Sequence, residues 1–251
     1  MPVTKDSQKI QRMFRDISGR YDLLNHLLSL NIDRLWRRKA ARALDIQPGH
    51  RLLDACTGTG DLALELCRHV DGAAGGHVTG TDFCREMVAI GQGKQRKASD
   101  TPLDLLVADT LALPFPDGTF DGATVAFGIR NVCDLRAGLE ELQRVLRPGG
   151  RLVILEFTTA RSAIFRKLFH LYFHGILPRI GALLSGHPTG SAAYRYLPES
   201  VAEFPTAHGL KDLMQDVGFE TVTFRYLSFG IAALHVADKP ASGSSSSRPE
   251  A

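Results

Sequence analysis

The sequence predicts an α/β protein: a doubly wound, mostly parallel seven-stranded sheet with N-terminal helices and a late helical insertion. Three observations predict it. Short apolar runs alternate with longer amphipathic segments from Arg51 onward, the pattern of βαβ units. The runs are apolar on consecutive residues, as strands covered on both faces require. The 251 residues, 44% hydrophobic and 23% charged, are enough for one large core.

Ile10, Met13, Phe14, Ile17, Tyr21, Leu24 and Leu28 fall at three- and four-residue steps and mark a first helix with one apolar stripe. Asn31 or Asp33 can cap a second helix, which runs through Trp36 to Leu44 and stops at Gln47-Pro48-Gly49. Arg51 to Cys56 reads as the first strand, Asp61 to Val70 as a helix and His77 to Thr81 as the second strand. Arg85 to Lys97 is a helix, Leu103 to Ala108 a third strand and Phe120 to Phe127 a fourth. Leu135 to Leu146 is a helix and Arg151 to Glu156 a fifth strand. From Thr158 to Pro198 the rhythm breaks: there is no Asp or Glu, and Arg161, Arg166, Lys167, Arg179 and Arg195 lie among aromatic and aliphatic residues. A helix from Thr206 to Val217 and an antiparallel pair, Glu220 to Leu227 and Ile231 to Asp238, complete the sheet. One domain is expected over 1–239: a helical cover at 7–46, a core at 50–156, an insertion at 158–205 and sheet completion at 206–239. The low-complexity tail, 240–251, is expected to be disordered.

Thirty basic against 27 acidic residues give +3, which supplies no argument for nucleic acid. Cys56, Cys67, Cys84 and Cys133 have neither metal-ligand nor disulfide-framework spacing, so no metal is expected. No signal peptide or membrane span is expected, and the default compartment is the cytoplasm.

The chemistry is expected where the first strand meets its helix, in Asp54-Ala-Cys-Thr-Gly58-Thr59-Gly60-Asp61. Glycines let a backbone turn sharply and approach a ligand, and open parallel sheets bind ligands beyond the carboxyl ends of their strands. Asp82 follows the second strand, where a carboxylate can accept both hydroxyls of a ribose. Asp109 and Thr110 follow the third, near where an adenine edge would lie. Two readings compete. Gly58-x-Gly60-x-x-Ala63 with Asp82 satisfies a dinucleotide fingerprint. Acids at Asp54 and Asp61 would repel a pyrophosphate and suit the positive charges of S-adenosylmethionine (SAM) instead, although Asp61 alone can be read as complementing a helix dipole.

Ala108-Asp109-Thr110, Leu113-Pro-Phe-Pro-Asp-Gly-Thr-Phe-Asp121 and Arg144-Val-Leu-Arg-Pro-Gly-Gly150 resemble the successive motifs of class I SAM-dependent methyltransferases, a Rossmann-like fold. Ser18-Gly-Arg-Tyr-Asp22, Phe127-Gly-Ile-Arg-Asn131, Tyr194-Arg-Tyr-Leu197 and Ala233-Leu-His235 narrow the resemblance to the ubiquinone/menaquinone biosynthesis C-methyltransferase family. Ala126 departs from it, standing where some members have Ser.

The resemblance implies SAM as cofactor and methylation of a ring carbon of a polyprenylated hydroquinone, a demethylmenaquinol or a methoxy-benzoquinol. Another phenolic or lipid acceptor, or a SAM-binding scaffold within a quinone-synthesis complex, is the alternative. The family's SAM positions fall on Thr59, Asp82, Asp109 and Thr110. Arg130 can stabilise a developing phenolate or pair with a structural carboxylate such as Asp22, and Asn131 can hydrogen-bond a substrate oxygen. His174 and His235 are candidate bases, with a structural role the favoured reading of each. Tyr194 and Tyr196 can line a quinol pocket or simply pack, and Tyr21 and Asp22 can form a lid. The acid-free segment suits peripheral contact with the inner face of a membrane, or a pair of core helices with a solvated basic face. A homo-oligomer is a further expectation.

Overall fold

The computed structural model describes residues 7–20, 29, 31–98, 101–158, 196 and 199–241. Strands β1 (Arg51–Ala55), β2 (His77–Asp82), β3 (Leu103–Val107), β4 (Phe120–Ala126) and β5 (Leu146–Phe157) run parallel. β7 (Ala232–Asp238) is antiparallel to both β5 and β6 (Glu220–Leu227). The sheet order is β3-β2-β1-β4-β5-β7-β6, with the predicted strand count and the predicted antiparallel pair. The order reverses at β1/β4, so a crevice opens beyond the carboxyl ends of β1, β2 and β4.

Helices α1 (Ser7–Ile17), α2 (Ile32–Ala43), α3 (Asp61–Cys67), α4 (Arg85–Lys97), α5 (Leu135–Val145) and α6 (Ala207–Asp216) accompany the sheet. Leu52 and Leu53 are both fully buried yet belong to different clusters, because successive strand residues point to opposite faces. One cluster joins Leu53, Phe120, Ile154, Leu142 and Met214; the other joins Leu52, Trp36, Leu66, Val88 and Leu155. β3 departs from the fully apolar pattern: as the edge strand it leaves Leu106 and Val107 exposed.

The first helix is shorter than its stripe predicts. It closes at Ile17 and gives way to a 3-10 turn at Ser18–Arg20. The Ser18 hydroxyl donates to the Arg15 carbonyl at 2.8 Å, offering the backbone a local alternative just before Gly19. Tyr21, Asp22, Leu24 and Leu28 lie outside the described residues, as does the predicted insertion except Thr158, Tyr196 and residues from Glu199 onward. α3 ends at Cys67 rather than Val70, ahead of the Asp71–Gly76 turn. Asn31 holds the N-cap position of α2 without a side-chain cap bond. Asp33, in the first turn, is buried against Arg37 and Ser29.

The Leu113–Asp121 and Arg144–Gly150 motifs form one brace. Arg144 donates to Glu141 and Asp117 and to the carbonyls of Phe115 and Leu113. The Glu141 carboxyl accepts from the Leu113 N–H at 2.7 Å, and Arg144 holds that carboxyl below its usual range. These motif residues fix the β3–β4 connection to α5 and make no contribution to the cavity wall.

Candidate active site

A cavity opens at the predicted sheet edge. Its wall combines Gly58, Asp82, Asp109, Thr110 and Asn131 with Phe14, Phe83, Met87, Leu111, Phe127 and Val132. Asp82 closes β2 and is 7% exposed. Its Oδ2 accepts the Gly58 N–H at 2.8 Å and its Oδ1 the Cys84 N–H at 2.9 Å. This ties the glycine loop to the end of β2, and each oxygen keeps a lone pair for a ligand. Gly58 reaches this position at φ +58°, which glycine adopts without a Cβ penalty. Asp109 is exposed; its Oδ1 accepts the Leu111 N–H at 3.0 Å and so shapes the turn it stands in. Thr110 is buried, with its hydroxyl 3.3 Å from Cys56 Sγ.

Other predicted site residues stand behind the wall. Asp54 is completely buried, and its two oxygens accept the hydroxyls of Thr57 at 2.6 Å and Thr124 at 2.7 Å. Sequence reasoning aimed it at a ligand ammonium; its carboxylate instead braces the loop from β1 to β4. Asp61 is bonded to Lys94 Nζ at 2.6 Å, and the same ammonium donates to the Thr59 hydroxyl at 2.9 Å. The loop is therefore less negative than its sequence suggests, because a cation 33 residues away in sequence sits on it. Thr59 is 2% exposed. Gly60 turns the chain at φ +82° into α3. Gly91 lets α4 lie against this loop, since a Cβ there would meet Leu105 at 2.9 Å and the Thr59 carbonyl at 3.2 Å.

Arg130 is the principal correction. The sequence pointed it at a substrate oxygen, but the side chain is buried and donates to Glu156 Oε1 at 2.7 Å and to the Phe127 carbonyl. Its guanidinium also lies 5.4 Å from the Phe157 ring centroid. The expected alternative, pairing with a structural carboxylate, holds with Glu156, while Asp22 lies outside the described residues. Arg130 thus acts as a positioning residue for the Phe127–Asn131 turn. Breaking one side of a buried ion pair costs about 3–5 kcal/mol. Arg130→Ala is expected to lower the urea midpoint accordingly, and Arg130→Met with Glu156→Gln to recover much of the loss. A wild-type midpoint for Arg130→Ala would remove the ion pair from the stability of this turn.

Asn131, next in the chain, does reach the wall. Its Oδ1 accepts the Tyr196 hydroxyl at 2.9 Å, leaving the amide N–H groups to meet a ligand oxygen. Burial holds the Tyr196 phenol above its ordinary range, so it stays a donor. Tyr194 and His174 lie outside the described residues. His235 is 1% exposed, stacks on Phe224 and has Nε2 2.8 Å from the Ala207 carbonyl. Burial lowers its pKa, and its neutral ring ties β7 to α6, the structural reading.

Sequence reasoning missed the apolar wall and Lys94. Phe14 arrives from α1, which Gln11 anchors by donating to the Phe83 carbonyl at 3.0 Å. Phe83 and Met87 were legible only as neighbours of Asp82. Phe127 sits at φ +59° and packs 4.5 Å from Phe157 and 6.0 Å from Trp36, centroid to centroid.

Burial pushes the carboxyls of both Asp54 and Asp82 up to about 6 from 3.8, against the opposing hydrogen bonds. In the window between these values the folded chain holds protons that the unfolded chain has released. These groups therefore make stability fall as pH rises through it. Asp54→Asn is expected to flatten that fall, gaining about 3 kcal/mol on wild type between about pH 4 and about pH 7. Urea midpoints across the window test this; parallel profiles for the two proteins would refute it.

A model of the ubiE/COQ5 methyltransferase family matches residues 2–239. The chain is 49% identical over 229 residues to the demethylmenaquinone methyltransferase of Thermus thermophilus, covering 91% of this chain and all of that one. It is 45% identical over 241 residues to the ubiquinone/menaquinone biosynthesis C-methyltransferase UbiE of Geobacter sulfurreducens, covering 94% and 91%. Among solved structures, a SAM-dependent methyltransferase from Aquifex aeolicus aligns with a TM-score of 0.61 at 21% identity, over 86% of this chain and 96% of that one, a likeness of fold. With the match running almost end to end, the chain belongs to the ubiE/COQ5 methyltransferase family.

Proposed function

We propose that this chain transfers a methyl group from SAM to a ring carbon of a polyprenylated hydroquinone, converting a demethylmenaquinol to a menaquinol or acting on the methoxy-benzoquinol of ubiquinone synthesis. One observation carries the reading: a single cavity wall holds both the Asp82 carboxylate and the Asn131 amide, joined by an aromatic and aliphatic lining. The family and the printed activities of its relatives support the same chemistry.

The residues present fit the cofactor. Asp82 offers two carboxylate lone pairs to ribose hydroxyls, Phe83 and Met87 give an adenine ring apolar faces, and Asp109 with Thr110 stands at its polar edge. Bound SAM supplies an electrophilic methyl group on a sulfonium. The protein's part is to align the acceptor carbon with that methyl and keep water out. Phe14, Leu111, Phe127 and Val132 supply the apolar enclosure. The Asn131 amide is placed to donate to the acceptor oxygen and so favour its ionised form, the phenolate whose electron density passes to the ring carbon as that carbon takes the methyl; the carbon then loses its proton and the ring becomes aromatic again. Tyr196 fixes that amide, and Arg130 with Glu156 holds the backbone that carries it. The acceptor is a lipid, so the reading includes contact with a membrane.

The test is methyl transfer from labelled SAM to freshly reduced short-chain demethylmenaquinol and, in parallel, to the matching methoxy-benzoquinol. Methylated product with either is the expected result, and the ratio names the preferred ring. SAM binding with no product from either would overturn the reading in favour of another acceptor or a scaffold.

A further inference from the structure

Phe127 is strained at the cavity edge. It holds left-handed backbone at φ +59°, which a bulky residue keeps only where its surroundings over-determine it. A glycine would adopt this conformation without a Cβ penalty, so the ring is kept against the preference of its own backbone. Several contacts hold it. The Phe127 N–H donates to the Leu155 carbonyl at 2.8 Å, and the Phe127 carbonyl accepts from Arg130. Its ring lies 4.5 Å from the Phe157 ring and 6.0 Å from that of Trp36, centroid to centroid.

Trp36 is the hub of this packing. The indole is buried and meets three separate stretches of chain. They are Phe127 just after β4, Phe157 closing β5 in an edge-on contact at 6.3 Å, and Ser228 in the turn after β6, whose Oγ accepts from the indole Nε1 at 3.1 Å. Arg37, next on α2, places its guanidinium 5.5 Å from the Phe127 centroid and is paired with Asp33. Arg130 stands 5.4 Å from the Phe157 centroid and is paired with Glu156. Two buried guanidiniums, each anchored by a buried carboxylate, thus bear on a pair of packed rings. Cation–π attraction is strongest where water is excluded.

The same packing carries the acceptor side of the cavity. Arg130 fixes the start of the turn through the Phe127 carbonyl, and the Asn131 and Val132 N–H groups close it on the Gly128 and Ile129 carbonyls at 2.9 and 3.2 Å. The cofactor side is held separately, where Asp82 accepts the Gly58 and Cys84 N–H groups. We infer that Trp36, which lies behind the cavity wall, is a positioning residue for methyl transfer: through Phe127 it sets where Asn131 stands, and it does so for the acceptor side alone. The identity of the ligand that Asn131 meets rests on the methyl-transfer reading. The link from Trp36 to the turn does not, and is measured with no ligand present.

The experiment compares the wild type with Trp36→Leu, Trp36→Phe and Phe127→Leu, by amide hydrogen exchange of the apo protein and by steady-state methyl transfer. Phe127→Leu breaks the same contact with Trp36 in place, and serves where Trp36→Leu fails to fold. In both leucine variants the Asn131 and Val132 amides are expected to exchange about tenfold faster or more, while the Gly58 and Cys84 amides stay within about twofold of wild type. A general loss of stability would speed all of them alike. kcat per SAM-binding site is expected to fall about 10- to 100-fold, as a misplacement of about 1 Å can cause. SAM affinity is expected to change by less than about twofold. Trp36→Phe keeps a ring against Phe127 and is expected to recover most of both effects. Equal acceleration at both sets of amides, acceleration at neither, an unchanged kcat, or a loss of SAM affinity matching the loss of kcat would each overturn the positioning role. A wild type inactive on both quinol acceptors would overturn the methyl-transfer reading instead, and the exchange pattern then decides whether Trp36 places the turn.

Discussion

Asp82→Ala is expected to weaken SAM binding by about 100-fold or more. Hydrogen bonds to a charged group contribute about 1.5–3 kcal/mol each, and two ribose hydroxyls would lose their acceptor. The apo protein is expected to stay folded, because the carboxyl is disfavoured by burial in the first place and its two backbone donors lie beside a cavity that water can enter. Asp82→Asn keeps an acceptor oxygen and is expected to lose less. The same carboxyl sets a pH dependence. Ribose hydroxyls favour the ionised form, and the free carboxyl is pushed up to about 6. SAM affinity is therefore expected to fall as pH drops below about 6, approaching tenfold per unit. Titration calorimetry across that range measures both effects. An Asp82→Ala protein with wild-type affinity would take the ribose away from this carboxylate.

Gly128→Ala is expected to be the most damaging Gly→Ala substitution among the described glycines. A Cβ at 128 would overlap the Cβ of Cys56 and lie 3.2 Å from its Sγ and carbonyl oxygen. The obstacle is anchored to backbone on both sides. Overpacking costs about 1–3 kcal/mol where neighbours can yield, and this site falls at or beyond the upper end. The glycine of Phe127-Gly-Ile-Arg-Asn131 is thus required by contact with the β1 loop, since its own φ of −118° suits any residue. Cys56 is itself at φ +51°, a conformation glycine accepts. Adding Cys56→Gly is expected to restore most of the lost stability and the SAM affinity. Urea denaturation of the two single variants and the double variant measures the coupling directly. A Gly128→Ala protein within about 0.5 kcal/mol of wild type would show that the two turns separate without cost.

The agreement between sequence and structure is greatest where the governing physics is local. Apolar runs punctuated by glycine, proline and short polar turns mark β1, β2, β4 and α5 to within a few residues. Asp82 was legible as a carboxylate at the cavity edge because its place at the end of a strand follows from the strand itself. The first helix shows the limit: its stripe continues past Ser18, but a serine hydroxyl and Gly19 end it.

The site's electrostatics followed a different rule. Asp54, Asp61 and Arg130 all drew functional readings from their charge, yet each is held by a partner distant in the chain: Thr124, Lys94 and Glu156. The argument that an acidic loop excludes a pyrophosphate is weaker once Asp54 is turned inward and Asp61 is paired. The choice of SAM over a dinucleotide rests instead on the family match.

The sequence by itself determined the order of strands and helices along the chain, the sheet edge at which the cavity opens, and the family. Those follow from periodicity and motif spacing, which neighbouring residues carry. Tertiary structure alone decided which charges face the cavity, which aromatic side chains build its wall, and how Trp36 comes to pack on Phe127. An ion pair or a shared wall depends on which strands and helices the fold brings side by side, and residues far apart in the chain meet only after folding.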